Sequence, residues 1–200
     1  SPVRDAIVKL AGTKAEALAH FGLLPNKKTL FVTGGSLGAK GINEGIAAQL
    51  DKFREHDIQV LWQTGKFYID WAKEQTKDYS DCVKTTAFVD RMDWAYIAAD
   101  AIVSRAGGTI SELCIVGKPT ILMPSPNVTE DHQTANAMNL VTKDAAIMVK
   151  DKEAKEKLFD LLYPMLFDDA VINKLSNNIK ALAITDAADR IAREVLDLLK

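Results

Sequence analysis

Three stretches of this sequence combine glycines, small hydroxyl residues and carboxamides in arrangements suited to holding a polar ligand. The first is Thr33-Gly34-Gly35-Ser36-Leu37-Gly38-Ala39, placed where an apolar strand turns into a helix. Glycines there let the backbone approach an anion, and the free amides and dipole at a helix amino end favour negative charge. That makes the loop a candidate phosphate cradle, with a tight strand-to-helix turn as the plain alternative. Its spacing is not the dinucleotide fingerprint, because the next strand ends in Gln63-Thr64-Gly65 and not in an acidic residue. It also lacks the lysine of the nucleotide-triphosphatase loop.

The second stretch, Ser104-Arg105-Ala106-Gly107-Gly108-Thr109-Ile110-Ser111-Glu112-Leu113, again follows a strand and enters a helix. Ligands of open α/β sheets bind outside the carboxyl ends of the strands, so two such loops on one rim can face one diphosphate. Glu112 lies about one turn inside the helix, where a carboxylate can accept both hydroxyls of a ribose. A first-turn Glu that only complements its own helix dipole is the competing reading. In the third stretch, Pro124 to Ala137, Asp131, His132, Gln133 and Asn136 break an otherwise apolar pattern and could read sugar hydroxyls. Asp131 reads equally as a helix cap and His132 as a surface histidine. No Ser-His-Asp order, His-x-x-x-His spacing or Asp-x-Asp motif occurs, so neither a metal nor a cofactor is expected.

The elements that would position these residues follow from hydrophobic period. Six short apolar runs, Leu30–Thr33, Ile58–Gln63, Val83–Phe88, Ala101–Ser104, Thr120–Met123 and Ala145–Val149, read as strands. Between them, Gly41–Phe53, Phe67–Lys77, Arg91–Ala99, Thr109–Val116 and Asp131–Thr142 have the period and length of crossover helices. A Rossmann-like, right-handed, doubly wound parallel sheet is predicted. Lys152–Phe167, Asp169–Ala183 and Asp186–Lys200 form a helical tail, and Thr13–Phe21 a leading helix with Thr13 as its cap and Gly22 as its stop. No repeat or linker divides the chain, which reads as one domain over residues 1–200.

Composition narrows the partners. With 25 Lys and Arg against 27 Asp and Glu, a formal charge of -2, the chain lacks the clustered basic charge of a nucleic-acid binder. Cys82 and Cys114 are too few for a disulfide framework and fit buried thiols in a reducing compartment. No apolar run has the length of a membrane span, so the chain reads as soluble or peripheral.

Read jointly, several motifs make the chain similar over its whole length to the carboxy-terminal domain of the MurG-type UDP-N-acetylglucosamine transferases. They are Pro2-Val3-Arg4, Gly34 to Ala39 with Asn43, Phe88-Val89-Asp90 with Met92, Ser104 to Glu112, Gly117-Lys118-Pro119, and Asp131-His132-Gln133-Thr134 with Asn136-Ala137. The resemblance implies one half of a GT-B fold, in which this half binds UDP-N-acetylglucosamine. It implies that Ser36 contacts the diphosphate with the amides of Gly107, Gly108, Thr109, Ile110 and Ser111 nearby, that Glu112 holds the ribose, and that the Val89 backbone pairs with uracil. Gln133, helped by His132, would bind the sugar hydroxyls, and Arg4 would reach the donor from the inter-domain link.

The implied reaction transfers N-acetylglucosamine with inversion to a lipid-linked N-acetylmuramoyl pentapeptide in peptidoglycan synthesis, at the cytoplasmic face of the inner membrane. Its general base, its acceptor site and its membrane contact would belong to an amino-terminal half that this sequence does not contain. No catalytic residue is therefore expected here. Leu37 departs from the family pattern, in which Gln is frequent. Two other readings share these residues: a stand-alone donor-binding subunit paired with a separate acceptor subunit, and another UDP-sugar enzyme such as a UDP-N-acetylglucosamine 2-epimerase or a glycolipid glucosyltransferase.

Overall fold

The computed structural model describes residues 13–199, and the side chains of all of these except Val128 and residues 184–191. Strands β1 (Lys28–Thr33), β2 (Ile58–Gln63), β3 (Val83–Thr86), β4 (Ala101–Ser104), β5 (Thr120–Leu122) and β6 (Ile147–Met148) make one sheet in the order β3-β2-β1-β4-β5-β6. Every pairing is parallel. Parallel neighbours cannot be joined by hairpins, which is why helices separate them. These are α1 (Lys14–His20), α2 (Lys40–Ala47), α3 (Leu50–Glu55), α4 (Ile69–Gln75), α5 (Met92–Ala98), α6 (Ile110–Val116), α7 (His132–Val141), α8 (Ala154–Phe167) and α9 (Asp169–Leu198).

Both sheet faces are covered, so the strands are apolar at successive positions without alternating with polar ones. Leu30 and Val32 point into one buried layer with Ile42, Trp62, Val103 and Phe159. Phe31 points the other way, into a layer with Leu61, Tyr96, Ile102, Leu113 and Leu140. Each such fully buried side chain contributes about 1.5–3 kcal/mol. Between β1 and β4 the winding reverses: the chain goes out from β1 through β2 to β3, then crosses back to β4 on the other side of β1. The loops after β1 and β4 therefore diverge and open a crevice at the carboxyl edge.

Element boundaries differ from the sequence reading in four places, each with a local cause. The helix expected over 41–53 is interrupted by Ala48 and Gln49, because the Gln49 carboxamide turns inward to donate to the Lys155 carbonyl at 3.0 Å. Strand β3 ends at Thr86, short of Phe88, since the Thr86 hydroxyl donates to the Phe88 carbonyl and bends the chain out of the ladder. The last strand keeps only Ile147 and Met148 of the five residues expected, as the edge of the sheet. The last two of the three tail helices expected, Asp169–Ala183 and Asp186–Lys200, are one, α9, capped by the Asp168 carboxylate, which accepts from the amides of Ala170 and Val171. No Gly or Pro lies between residues 169 and 198 to stop it. The leading helix ends at His20, and its expected stop Gly22 follows two residues on with φ +69°. Among the described residues no helix is long and apolar enough to cross a membrane.

Candidate functional site

Two adjoining cavities occupy the crevice. The inner one, about 330 Å³, is lined by Thr33, Gln63, Phe88, Tyr96, Gly107 and Thr109, among others. The outer one, about 560 Å³, takes in Lys40, Ser125, Asn127, Gln133 and Asp151. Gly34, Gly35, Ser36 and Arg105 line both, so the two form one groove running across the switch point. Each is of the size that binds small molecules.

The first glycine loop is held by backbone contact against the end of β2. Gly38 has φ +100°, and a Cβ there would lie 2.6 Å from the Thr64 carbonyl oxygen and 2.6 Å from the Tyr68 ring. Gly65, at φ +80°, would bring its Cβ to 2.2 Å from the Gly38 nitrogen. Only glycine fits either place. Beneath the loop, the buried Asn43 donates to the Thr64 carbonyl at 2.9 Å and accepts from the Trp62 indole at 2.9 Å, which locks α2 to β2. An unmade bond at such a buried carboxamide would cost about 1–3 kcal/mol. Ser36 stands exposed above this frame, facing both cavities.

The second loop is anchored by charge. Arg105 forks onto Asp151, Nη1 to Oδ1 at 2.5 Å and Nη2 to Oδ2 at 2.9 Å, and also donates to the Met123 carbonyl at 3.0 Å. Such bidentate pairs are strong and directional. Asp151 in turn lies against the first turn of α2, where a Cβ on Gly41 would meet its carboxylate at 2.0 Å. The pair thus ties both glycine loops to the chain leading into α8. Gly107, Gly108 and Thr109 line the inner cavity, while the amide of Ile110 donates back to the Gly107 carbonyl and Ser111 is half-buried in α6. Glu112, half-buried one residue further, does not line the cavity itself. Its charge nevertheless reaches Tyr96, whose hydroxyl is pushed up to about 12 first by burial and then by Glu112.

At the inner end, residues 86–90 are fastened group by group. The Ala87 carbonyl accepts from the Gly65 amide at 3.2 Å and the Phe88 carbonyl from the Thr86 hydroxyl at 2.8 Å. The Val89 amide donates to Gln63 Oε1 at 2.9 Å, and Gln63 Nε2 donates to the Thr33 hydroxyl at 3.0 Å. His20 contacts both Asp90 oxygens at 3.0 Å and holds that carboxyl below the usual range. Phe88 is left largely exposed at the mouth.

The outer end is built differently. Asn127 Oδ1 accepts from the Thr129 amide and starts a short 3-10 turn, Val128–Glu130, before α7. Gln133 is buried, accepts from the Ser125 amide at 2.9 Å, and has Nε2 3.4 Å from where a Cβ on Gly107 would stand. Asn136 donates to the Ala106 carbonyl at 3.0 Å, so it braces the second loop. Asp131 makes no side-chain cap to α7. Both Asp131 and His132 are exposed and line neither cavity.

Of the residues singled out in the sequence, Ser36, Gly107, Gly108, Thr109 and Gln133 line the groove. Val89 lines neither cavity of the groove but a neighbouring one with Phe88 and Asp90, and reaches the groove wall through its bond to Gln63; Glu112 lines neither and stands behind Tyr96. Ile110, Ser111 and His132 stand apart from the two cavities, and Arg4 lies outside the described residues. Sequence reasoning missed Gln63, Tyr96 and the Arg105–Asp151 pair. A polar Gln at the end of the apolar run LWQ was the one visible sign of the first. Among the described residues no group of three or more His, Cys, Asp or Glu side chains is arranged to hold a metal ion.

Comparison with known proteins places the chain in a family and a fold. A curated protein of Parabacteroides distasonis named UDP-N-acetylglucosamine--N-acetylmuramyl-(pentapeptide) pyrophosphoryl-undecaprenol N-acetylglucosamine transferase is 49% identical over all of this chain and 55% of its own length. One of the same name from Bacteroides thetaiotaomicron is 46% identical, over 99% of this chain and 54% of its own. The chain spans about half the length of the curated relatives it matches. Among solved structures, MurG of Acinetobacter baumannii superposes with a TM-score of 0.69 at 24% identity, over 88% of this chain and 53% of that one. The UDP-GlcNAc 2-epimerase of Neisseria meningitidis bound to UDP-GlcNAc gives 0.67 at 16%, over 98% and 52%. These two establish the shared Rossmann-like fold. A family model, the glycosyltransferase family 28 C-terminal domain, matches residues 29–191, and the chain belongs to that family.

Proposed function

We propose that this chain is the UDP-N-acetylglucosamine-binding half of an inverting transferase that glycosylates a lipid-linked N-acetylmuramoyl pentapeptide in peptidoglycan synthesis. The observation that carries the reading is the continuous groove whose two cavities share Gly34, Gly35, Ser36 and Arg105, contributed by both glycine loops. A uracil fits the inner end beside Val89, and Glu112 takes the ribose hydroxyls. The diphosphate lies over Ser36 and the amides near Gly107, and the sugar reaches Gln133. This half then stabilises the leaving UDP electrostatically, through loop amides and helix amino ends. Inversion requires a base on the opposite face of the sugar, which the proposal assigns to an amino-terminal half. That half would also bear the acceptor and the contact with the cytoplasmic face of the membrane. The 44–49% identity to curated transferases favours this reading over a 2-epimerase.

Calorimetry with UDP and AMP tests it. UDP binds the tighter of the two, and Glu112→Ala weakens UDP by about 1.5–3 kcal/mol, the cost of losing a charged hydrogen-bond acceptor. Equal binding of UDP and AMP, together with an indifferent Glu112→Ala variant, refutes the assignment. Absence of transfer to lipid-linked muramoyl acceptor by the full-length protein would shift the reading to the epimerase class.

A further inference from the structure

Four charged residues line the outer cavity: Lys40, Arg105, Glu130 and Asp151. Three of them have a partner of opposite sign. Arg105 and Asp151 fork onto each other, and Lys40 has the Glu44 carboxylate 4.0 Å away. Glu130 is half-buried, and no described residue pairs with its carboxylate. Its backbone is held in place nonetheless. The Glu130 amide donates to the Asn127 carbonyl at 2.9 Å, while Asn127 Oδ1 accepts from the Thr129 amide at 3.1 Å and the Thr129 hydroxyl at 3.0 Å. The 3-10 turn therefore sets an uncompensated negative charge on the cavity wall, three residues ahead of the buried Gln133.

We propose that Glu130 is a charge filter for the donor: it admits a neutral sugar and rejects nucleotide sugars whose sugar ring carries a carboxylate. An ionised carboxylate only accepts hydrogen bonds, so a sugar hydroxyl can donate to it and a second carboxylate cannot. Like charges in a partly enclosed cavity also repel with less screening than in open solvent. The guanidinium that could otherwise receive an acidic sugar is already taken by Asp151, so it does not offset the repulsion. Selectivity then comes from a repulsive element and not from tighter binding of the right ligand. The inference rests on the reading of this groove as a nucleotide-sugar site with the sugar at its outer end.

The test compares, by calorimetry on the full-length protein, UDP-N-acetylglucosamine with UDP-N-acetylglucosaminuronate, which has a carboxylate in place of the C6 hydroxymethyl group. Wild type favours the neutral donor. Glu130→Gln, nearly equal in shape, lowers that preference by about five- to tenfold, the size of one like-charge contact in a partly screened cavity. Glu130→Lys lowers it further, and Glu130→Asp keeps most of it. Added salt narrows the preference of the wild type more than that of Glu130→Gln. A preference that is the same in wild type and in the Gln and Lys variants overturns the filter, even if both affinities fall together. So does a wild type that binds the two donors alike. Wild-type protein that binds UDP no better than AMP would instead overturn the nucleotide site itself.

Discussion

The two ends of the groove hold their polar side chains in contrasting ways. At the inner end Gln63, Val89 and Tyr96 are each about 2% exposed: Gln63 stands at the end of β2, fixed by the parallel ladder, it holds the Val89 amide, and Tyr96 packs from α5. At the outer end the polar residues sit on a loop, a 3-10 turn and the first turn of α7, where only Gln133 is buried. The inner end is consequently formed before any ligand arrives. The outer end has its geometry set by one carboxamide, and that contrast separates a rigid base site from a more permissive sugar site.

The contrast can be broken most severely at Gly65. Replacement by Ala puts a Cβ into the Gly38 backbone at a positive φ, so it should cost about 3 kcal/mol in urea unfolding and abolish detectable UDP binding. Milder treatment by pH addresses the same end. Tyr96 ionises near 10 when unfolded and near 12 in the fold, so the stability present below pH 10 is lost as pH rises toward 12. About half of the full loss of about 2–3 kcal/mol, roughly 1.3 kcal/mol, falls between pH 9 and 11, and Tyr96→Phe should flatten it in denaturation curves at those two pH values.

Effects at the outer end should be smaller and confined to the sugar. Gln133→Ala weakens UDP-N-acetylglucosamine by about 1 kcal/mol and leaves UDP alone nearly unchanged. His132→Ala, at an exposed position outside both cavities, changes either affinity by less than about 0.5 kcal/mol. If His132→Ala cost as much as Gln133→Ala, α7 would have to turn on binding, and the outer end would not be set by Gln133.

What could be read in advance follows the same division. The six strands and their parallel pairing were legible because strands buried on both faces leave uninterrupted runs such as LFVT and AIVS. The first glycine loop was legible because its positive φ values at Gly35 and Gly38 favour a residue without Cβ. Boundaries set by one side chain were not: Gln49 breaking a helix and Thr86 ending a strand are tertiary bonds that no local period records. The Arg105–Asp151 pair spans 46 positions, and its meaning depends on a packing contact with Gly41 that only the folded chain brings together. His132 is the converse case, singled out in the sequence but lining neither cavity. A polar residue next to Gln133 in sequence points, one helical step on, to a different side.

That Arg105–Asp151 pair also determines how an anion would feel this protein from a distance. The guanidinium that lines both cavities is already neutralised by its carboxylate, and the chain as a whole carries a charge of -2. Lys40, exposed at the outer rim, has the Glu44 carboxylate 4.0 Å away. Attraction for a diphosphate then comes mainly from oriented peptide dipoles, whose field fades within a few ångströms. Association with the groove should therefore be little accelerated by long-range steering and little slowed by added salt, unlike that of a cleft lined with unpaired arginines.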